Sequence, residues 1–290
     1  MDNMGGSTPP PPPPPPGEGE GSRGFAPKGI GDILSSAFDL YMKNAAQLIV
    51  IAAIVVVPLT LVQAFLSDAL ADEVVETSIV VNEETDEVVI NGGDGTSLGQ
   101  VILGSILLGL ISAAIWMLLT GALTRGAAGA LLGRSIDVGE SYRAALARLG
   151  GLIVLAFLIA IIVGIGFALL FVPGVILLVF LSMAVPAFIL ERRGVGDSMS
   201  RSWGLVSGSW WHVLGAILVA AIIAGVVSGI LGALGGDSVI GVWITSAIAG
   251  TLTAPFYALV SVILYVDLRS RREGLDSVTL QRELDTGTAA

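Results

Sequence analysis

Six long apolar runs restrict the fold of this chain more than any other feature of its sequence. Apolar residues make up 54% of the chain and charged residues only 13%, which gives a mean hydropathy of +0.87. A helix needs about 20 mostly apolar residues to cross a bilayer. The sequence therefore predicts an all-α polytopic membrane protein with about six transmembrane helices. The predicted spans are residues 45–66, 98–124, 152–172, 175–190, 213–234 and 241–266.

The third and fourth runs form one apolar tract that only Pro173 and Gly174 interrupt. Because this dipeptide strongly favours a turn, it predicts a tight helical hairpin at that point. The fourth run would reach only about 24 Å as a helix. Whether it crosses the membrane fully or lies tilted is therefore left open by the sequence.

Positive charges are confined to one side of the predicted bundle. All 14 lysines and arginines fall in four segments that six spans place on the same face, whereas ten of the 24 acidic residues fall on the other. The positive-inside rule then predicts a multi-pass protein of the bacterial plasma membrane with both termini in the cytoplasm. Since the basic residues are scattered along the membrane surface, no nucleic-acid partner is predicted.

A similar pattern occurs three times, starting at Gly29, Asp137 and Gly194. Each copy has a glycine and an acid (Asp32, Glu140 or Asp197), then a short amphipathic stretch, then a span. We expect the acid to cap a helix that lies along the membrane interface; a solvated loop is the alternative. The residues expected on the apolar sides are Ile33, Phe38, Tyr41, Tyr142, Leu146, Met199, Trp203 and Val206. The sequence thus predicts an internal repeat, with three copies of an interfacial helix followed by a transmembrane hairpin.

The membrane domain is predicted over residues 29–268, with different segments outside it. Residues 1–28 contain eight consecutive prolines and are predicted to be a disordered Pro-rich cytoplasmic arm, which serves as a docking segment or as a plain spacer. Residues 67–97 form an acidic extracytoplasmic loop that either repels anions or gathers cations, and its alternating pattern from Ser78 predicts a short β-hairpin. Residues 269–290 are predicted to be a cytoplasmic tail.

Small residues and prolines within the runs predict how the helices pack. Small residues spaced by four allow helices to approach closely, and the ridge from Ala216 to Gly232 serves either the bundle itself or a homo-oligomer. Pro58, Pro186 and Pro255 lie within predicted spans and either shape the packing or open a cavity by kinking the helix. If a cavity opens, the predicted lining residues are Thr251, Thr253 and Tyr257.

The sequence carries no recognisable constellation for chemistry. No ionisable residue lies in the middle of a predicted span, His212 is the only histidine, and there is no cysteine. Histidine or thiolate metal sites and a Ser/His/Asp triad therefore lack the residues they need. The sequence predicts a protein that is not an enzyme and has no catalytic, metal or cofactor site.

The stretches GIGDILSSAFDLYMKN, ERRGVGDSMSRSWGLVSGSWWHVLG and LYVDLRSRREGLD resemble the membrane-domain family named for its attachment to some glycerophosphoryl diester phosphodiesterases. The resemblance covers roughly residues 25–277. The family-motif residues that it implies are Asp197, Arg201, Ser202, Trp203, Trp211, Tyr265, Asp267, Leu268, Arg269, Arg271, Glu273 and Gly274. Such proteins resemble one another as multi-span proteins of unassigned activity, and this chain lacks the paired histidines of the catalytic barrel.

The leading functional prediction is therefore a non-enzymatic scaffold or regulator associated with envelope or lipid metabolism. A lipid or amphiphile carrier or channel is the first alternative, and a membrane module that works with a separate phosphodiesterase is the second. The predicted partners are membrane lipids, and proteins that dock on the Pro-rich arm or the tail.

Overall fold

The computed structural model describes residues 25–76, 78–82, 87–91, 98–236 and 238–285. The helices that precede the third apolar run are α1 (Ile30–Lys43), α2 (Ala45–Glu76), α3 (Leu98–Leu131) and α4 (Val138–Leu146). The next four are α5 (Leu149–Leu169), α6 (Phe171–Leu181), α7 (Ala184–Leu190) and α8 (Val195–Val206). The last three are α9 (Trp210–Leu234), α10 (Val239–Glu273) and α11 (Ser277–Asp285).

Within the described residues, six helical segments are long and apolar enough to cross a membrane, which confirms the predicted fold class. They are Ala45–Phe65, Gly109–Leu131, Leu149–Leu169, Phe171–Leu190, Trp210–Leu234 and Val239–Glu273. Helix α10 is central to the bundle, because it packs against α1, α2, α3, α7, α8 and α9. Its buried side chains include Leu259, Tyr265 and Asp267.

Helices α3 and α10 continue beyond the predicted ends of their spans at residues 124 and 266. The additional turns carry Arg125, Asp267 and Arg269, all of which are buried. A charged side chain at such a depth needs an opposite charge or a hydrogen-bond partner. Arg125, Asp267 and Arg269 each have such a partner. The hydropathy of a run therefore marks where the apolar residues stop and not where the helix ends.

A short amphipathic helix precedes each pair of long helices: α1 before α2, α4 before α5 and α8 before α9. The acids Asp32, Glu140 and Asp197 occupy the third position of these helices. Asp32 caps α1 by accepting a hydrogen bond from the Gly29 amide, 3.1 Å away. The prediction for α4 was wrong, because the N-cap is Asp137, whose carboxylate accepts from the Glu140 amide at 2.7 Å. The threefold repeat itself stays a prediction.

The turn between α5 and α6 lies at Leu170, whose backbone is extended, and not at Pro173 and Gly174 as predicted. Pro173 is the third residue of α6, where a helix needs no amide donor from it. Gly174 instead lies against Gly166 of α5: a side chain on Gly166 would come within 2.9 Å of the Gly174 Cα. The glycine therefore serves close packing of the hairpin.

The fourth span consists of two helices, since α6 ends at Leu181 and α7 begins at Ala184. Pro186 thus lies in the first turn of α7 and not in the interior of a continuous helix, as the sequence had suggested. Pro58 and Pro255 do lie inside α2 and α10. An eleven-residue α6 extends about 16 Å, which is about half the thickness of a hydrocarbon core of about 30 Å.

Strands β1 (Ser78–Asn82) and β2 (Glu87–Asn91) form the predicted antiparallel hairpin. Ser78 pairs with Asn91, and Asn82 pairs with Glu87. The turn that joins the strands and the polyproline segment lie outside the described residues. The predictions of a disordered arm and of cation binding by the acidic loop are therefore not addressed by the structure.

Part of the predicted C-terminal tail is a helix packed on the bundle. Helix α11 buries Leu280 and Leu284, and it follows the left-handed residue Gly274 that ends α10. The prediction of a plain tail missed this helix because its sequence is mostly polar. The stability of α11 depends on the burial of its two leucines. It also depends on the hydrogen bonds that Glu283, the Leu284 carbonyl and Asp285 accept from arginines.

Candidate functional site

An ion-pair network closes the end of the bundle that carries the arginines, and Glu191 lies at its centre. The side chain of Glu191 is only 6% exposed and follows α7 directly. It accepts hydrogen bonds from the Nε of Arg201 at 2.9 Å, from Arg193 and from the Tyr265 hydroxyl. The Nε of Arg269 lies 3.3 Å from the same carboxylate. One carboxylate therefore connects α7, α8 and α10.

Two further carboxylates extend this network. Glu273 accepts from the Nη2 of Arg201 at 2.6 Å, and Glu283 of α11 accepts from both terminal nitrogens of Arg269 at 2.7 and 2.9 Å. Such paired contacts match the planar guanidinium to the carboxylate. Arg269 is only 7% exposed, so this end of the bundle is held by desolvated and mutually neutralising charges.

The electrostatic setting of Glu191 favours its charged form. Burial by itself raises the pKa of Glu191, but hydrogen bonds from Tyr265 and Arg193, the charge of Arg269 and a hydrogen bond from Arg201 outweigh it and hold the pKa below its ordinary value. The hydrogen bond to Glu273 raises the pKa of Arg201 above its ordinary value. At neutral pH the network therefore contains a negatively charged Glu191 and a positively charged Arg201.

Asp267 forms a second polar cluster near the same end. Its side chain is 1% exposed and accepts from the backbone amide of Lys28 and from the Nε of Arg271, both at 2.7 Å. The Nε2 of His212 lies 3.3 Å away. Asp267 thus fixes the segment before α1 against α10. Lys28, the last residue of the predicted arm, is therefore part of the folded domain.

The other family-motif residues have different roles. Asp197 is an exposed residue in the first turn of α8, and Trp203 stacks on Phe180 with ring centroids 4.1 Å apart. Trp211 is 78% exposed. The motif predicted from sequence therefore divides into network residues (Arg201, Tyr265, Arg269 and Glu273), the Asp267 and Arg271 pair, and residues that shape α8 and its surroundings.

Ser202 spans the break between α6 and α7. Its buried hydroxyl donates to the Phe180 carbonyl at 2.6 Å and accepts from the Met183 amide at 3.0 Å. Both backbone groups would otherwise lack a partner within the fourth span. A single side chain of α8 therefore stabilises the interruption in its neighbour.

We expect Ser202→Ala to lower the free energy of unfolding by about 1–2 kcal/mol, because it leaves a buried amide and a buried carbonyl unpaired. Thermal unfolding in one detergent measures the change. Ser200→Ala is the matched control, since Ser200 is exposed on the same helix. Equal stability of the two variants would contradict this role of Ser202.

A small cavity lies beside the break, between α3, α7 and α10. Its volume is about 190 Å³. The polar residues among its lining are Trp116, Thr120, Thr124, Ser182, Tyr257 and Ser261, and the others are apolar, including Pro186. We call this cavity the hydroxyl chamber. No ionisable residue other than Tyr257 contributes to its described lining.

The hydroxyl groups of the chamber differ in their partners. Thr120 and Thr124 donate to carbonyls of their own helix, those of Trp116 and Thr120. Within the described part of the chain, Tyr257 and Ser261 have no hydrogen-bond partner. They lie one turn apart on α10, and both residues line the chamber.

The other predicted cavity residues lie elsewhere. Thr253 donates to the Ala249 carbonyl and lines a separate apolar groove of about 550 Å³ between α1, α9 and α10. Thr251 is buried without a hydrogen-bond partner and lines neither cavity. Thr253 and Tyr257 thus line different cavities, because successive turns of α10 face different neighbours.

Sequence reasoning missed several residues of these sites. Glu191 stands beside the arginine doublet of a motif that was noticed, but nothing local shows that it meets Tyr265, 74 positions later. Glu283 lies in the segment predicted to be a tail. Thr120, Ser182 and Ser261 are isolated hydroxyls in apolar runs, and only packing brings them together.

Comparison with known families adds one match. Residues 95–268 match the sequence model of a family described as a domain of unknown function, DUF7847. The match covers more than half of the chain. The chain belongs to this family. No curated protein and no solved structure matches the sequence.

The DUF7847 match contains every lining residue of the hydroxyl chamber. It also contains Glu191, Arg201 and Tyr265, whereas Arg269, Glu273 and Glu283 lie beyond its last residue. The described residues include no group of three or more His, Asp or Glu side chains arranged to hold a metal ion. The resemblance to the phosphodiesterase membrane-domain family stays a prediction.

Proposed function

We propose that this protein binds the uncharged, hydroxyl-bearing headgroup of a membrane lipid in the hydroxyl chamber. The observation that carries the proposal is the pair Tyr257 and Ser261, which line the chamber and whose hydroxyls have no hydrogen-bond partner among the described residues. An unpaired polar group in an apolar environment is costly. A ligand hydroxyl would supply the missing hydrogen bonds.

The chemistry of the lining argues for a neutral ligand. A charged headgroup would lie among hydroxyls and apolar side chains with no opposite charge, at a large desolvation cost. A volume of about 190 Å³ suits a small polyol headgroup and not a whole lipid. The acyl chains would remain in the bilayer, because Trp116 and Tyr257 at the chamber are exposed on the outside of the bundle.

The interrupted fourth span supports the same location. Broken helices near the middle of a membrane commonly frame binding sites in transporters. Here Ser182 in the break and Val185 just after it both line the chamber. This favours the carrier alternative over the scaffold that the sequence placed first.

Native mass spectrometry of the detergent-solubilised protein with added diacylglycerol tests the proposal. We expect Tyr257→Phe combined with Ser261→Ala to weaken binding about tenfold or more, because two hydrogen bonds of about 1 kcal/mol each are lost. Thr253→Val is the control, since it removes a hydroxyl from α10 outside the chamber. Triacylglycerol, in which a third acyl chain esterifies the free hydroxyl, should not bind the chamber.

Two outcomes would contradict headgroup binding in the chamber. One is equal retention of diacylglycerol by the wild-type protein, the double variant and the control. The other is retention of charged phospholipids alone. Unchanged thermal stability of the double variant shows that a loss of binding does not reflect misfolding.

A non-enzymatic scaffold or regulator of envelope or lipid-handling partners is the second candidate. The observation that favours it is the cross-braced arginine end, where α7, α8, α10 and α11 are joined through Glu191, Arg269 and Glu283. A rigid surface suits a docking platform. Co-purification in mild detergent, with Glu283→Gln as a comparison, tests it: a protein lost with the variant supports the role, and a clean monomer in both counts against it. A separate phosphodiesterase is one such partner to look for.

We also propose that the arginine end faces the cytoplasm of a bacterial cell and that both termini lie there. The one-sided arginines and lysines support this orientation. A reporter inserted at residue 85 should respond on the outer side of the plasma membrane. A cytoplasmic signal from that position would overturn the orientation.

A further inference from the structure

The last turn of α11 contacts three arginines from three different parts of the chain. The Leu284 carbonyl accepts from the Nη2 of Arg125 at 2.8 Å. Asp285 accepts from the Nη1 of Arg134 at 2.6 Å, and Glu283 binds Arg269 through two hydrogen bonds. Consecutive residues thus present two carboxylates and a carbonyl at the negative end of a helix.

Helix α11 supplies negative charge to the ion pairs at this end of the protein. The bundle contributes five arginines to these ion pairs, Arg125, Arg134, Arg193, Arg201 and Arg269, and three carboxylates, Glu140, Glu191 and Glu273. Glu283 and Asp285 of α11 supply the two remaining negative charges. Without Glu283 and Asp285, five arginines in these ion pairs would face three carboxylates.

The attachment of α11 is limited. The helix has nine residues, and its buried side chains are Leu280 and Leu284. Helices of this length are marginal on their own in water, so α11 depends on these contacts. It follows Gly274, whose φ of 65° marks a sharp end to α10. The helix is therefore a compact unit, and its release would not require a span to unfold.

The space beside α11 is suited to an anion. A polar cavity of about 180 Å³ is lined by Arg125, Arg134, Ser135, Ser141 and Leu284, together with Asp137 and Glu140. Arg125 and Arg269 lie near the ends of spanning helices, which is the depth of lipid headgroups. The planar set of N–H donors on a guanidinium group fits the oxygens of a phosphate as it fits those of a carboxylate.

We propose that α11 is an internal ligand of an anion site formed by Arg125, Arg134 and Arg269, and that the phosphate group of an anionic membrane lipid takes its place when α11 leaves. The carboxylates of Glu283 and Asp285 stand where phosphate oxygens would bind. The proposal is independent of the hydroxyl chamber, since it concerns charged groups at the end of the bundle.

A spin label on α11 tests this exchange in the full-length protein. The chain has no cysteine, and Val278 is 41% exposed on α11, so Val278→Cys provides one labelling site. The protein is placed in phosphatidylcholine nanodiscs. Phosphatidylglycerol is then added to the lipid in one arm, inorganic phosphate to the buffer in a second, and sodium chloride at matched ionic strength in a third.

We expect phosphatidylglycerol to increase the mobile fraction of the label. Glu283→Gln should lower the amount needed for half-release about tenfold, because it removes a charge-assisted bidentate pair. Asp39→Asn is the matched control, since it removes one exposed carboxylate from α1. Release by phosphatidylglycerol alone assigns a lipid headgroup, and release by inorganic phosphate as well assigns a general phosphate site.

Three outcomes would overturn the exchange. In the first, sodium chloride releases α11 as well as either phosphate probe, which indicates charge screening only. In the second, no probe moves the label in the wild-type protein or in Glu283→Gln. In the third, Glu283→Gln frees α11 without any dependence on anions, which indicates a purely structural contact.

Discussion

Replacing Glu191 with alanine is expected to lower the free energy of unfolding by about 3–5 kcal/mol, the cost of breaking a buried ion pair from one side. The carboxylate is 6% exposed and is shared by Arg193, Arg201, Arg269 and Tyr265. Its removal leaves buried guanidinium charge without a full complement of acceptors. Equilibrium unfolding in mixed micelles measures the change.

Asp39→Ala is the control for Glu191→Ala, because Asp39 is exposed on α1. We expect it to change the stability by less than about 0.5 kcal/mol. Glu191→Gln should fall between the two, since the amide oxygen still accepts hydrogen bonds while the charge is lost. A Glu191→Ala protein as stable as the control would show that the network is not a determinant of the fold.

The pH dependence of stability follows from the depressed pKa of Glu191. The unfolded chain protonates this group near its ordinary pKa of 4.5, whereas the folded protein protonates it at lower pH. The stabilisation is therefore fully present above the ordinary value and is lost as the pH falls through the folded-state pKa. The difference in unfolding temperature between wild-type and Glu191→Gln should shrink as the pH drops below 4.5.

Replacing Gly166 with leucine is expected to destabilise the protein by about 3 kcal/mol or more, because overpacking forces neighbouring atoms apart. A Cβ at this position would lie 2.8 Å from the Leu177 Cδ1 and 2.9 Å from the Gly174 Cα. A backbone atom cannot rotate away as a side chain can. Helices α5 and α6 would have to separate.

Gly164→Leu is the matched control for Gly166→Leu. It adds the same side chain to the same helix, but no atom lies within 4 Å of a Cβ at Gly164. Leucine also favours a helix over glycine by roughly 0.5–1 kcal/mol, so the control should be neutral or more stable. Unfolding temperatures in the same detergent compare the two, and equal values would contradict close packing of this hairpin.

The scaffold and lipid-binding proposals differ in which part of the protein contacts the partner or the lipid. Lipid binding depends on Tyr257 and Ser261 within the spans, whereas docking depends on the arginine end. Substitutions in the chamber should leave partner binding unchanged, and Glu283→Gln should leave diacylglycerol binding unchanged. The two sets of variants therefore separate the functions in one preparation.

The sequence by itself determined the six spans, the short amphipathic helices before each pair, and the hairpin of β1 and β2. These features depend on local patterns, because the length of an apolar run and the alternation of polar and apolar residues directly set what a segment can bury. Arg201, Tyr265, Arg269 and Glu273 could likewise be singled out, since they stand in a dense polar motif next to apolar runs.

Only the tertiary structure decided which of these residues meet and where the helices actually break. Glu191 meets Tyr265 from 74 positions away, and the chamber combines residues of α3, α7 and α10, so no local pattern encodes these contacts. The turn at Leu170 and the continuation of α3 through Arg125 depend on partners from other helices. The reason is physical: in a membrane bundle, a glycine, a proline or a buried charge is tolerated only where a neighbouring helix supplies the missing contact.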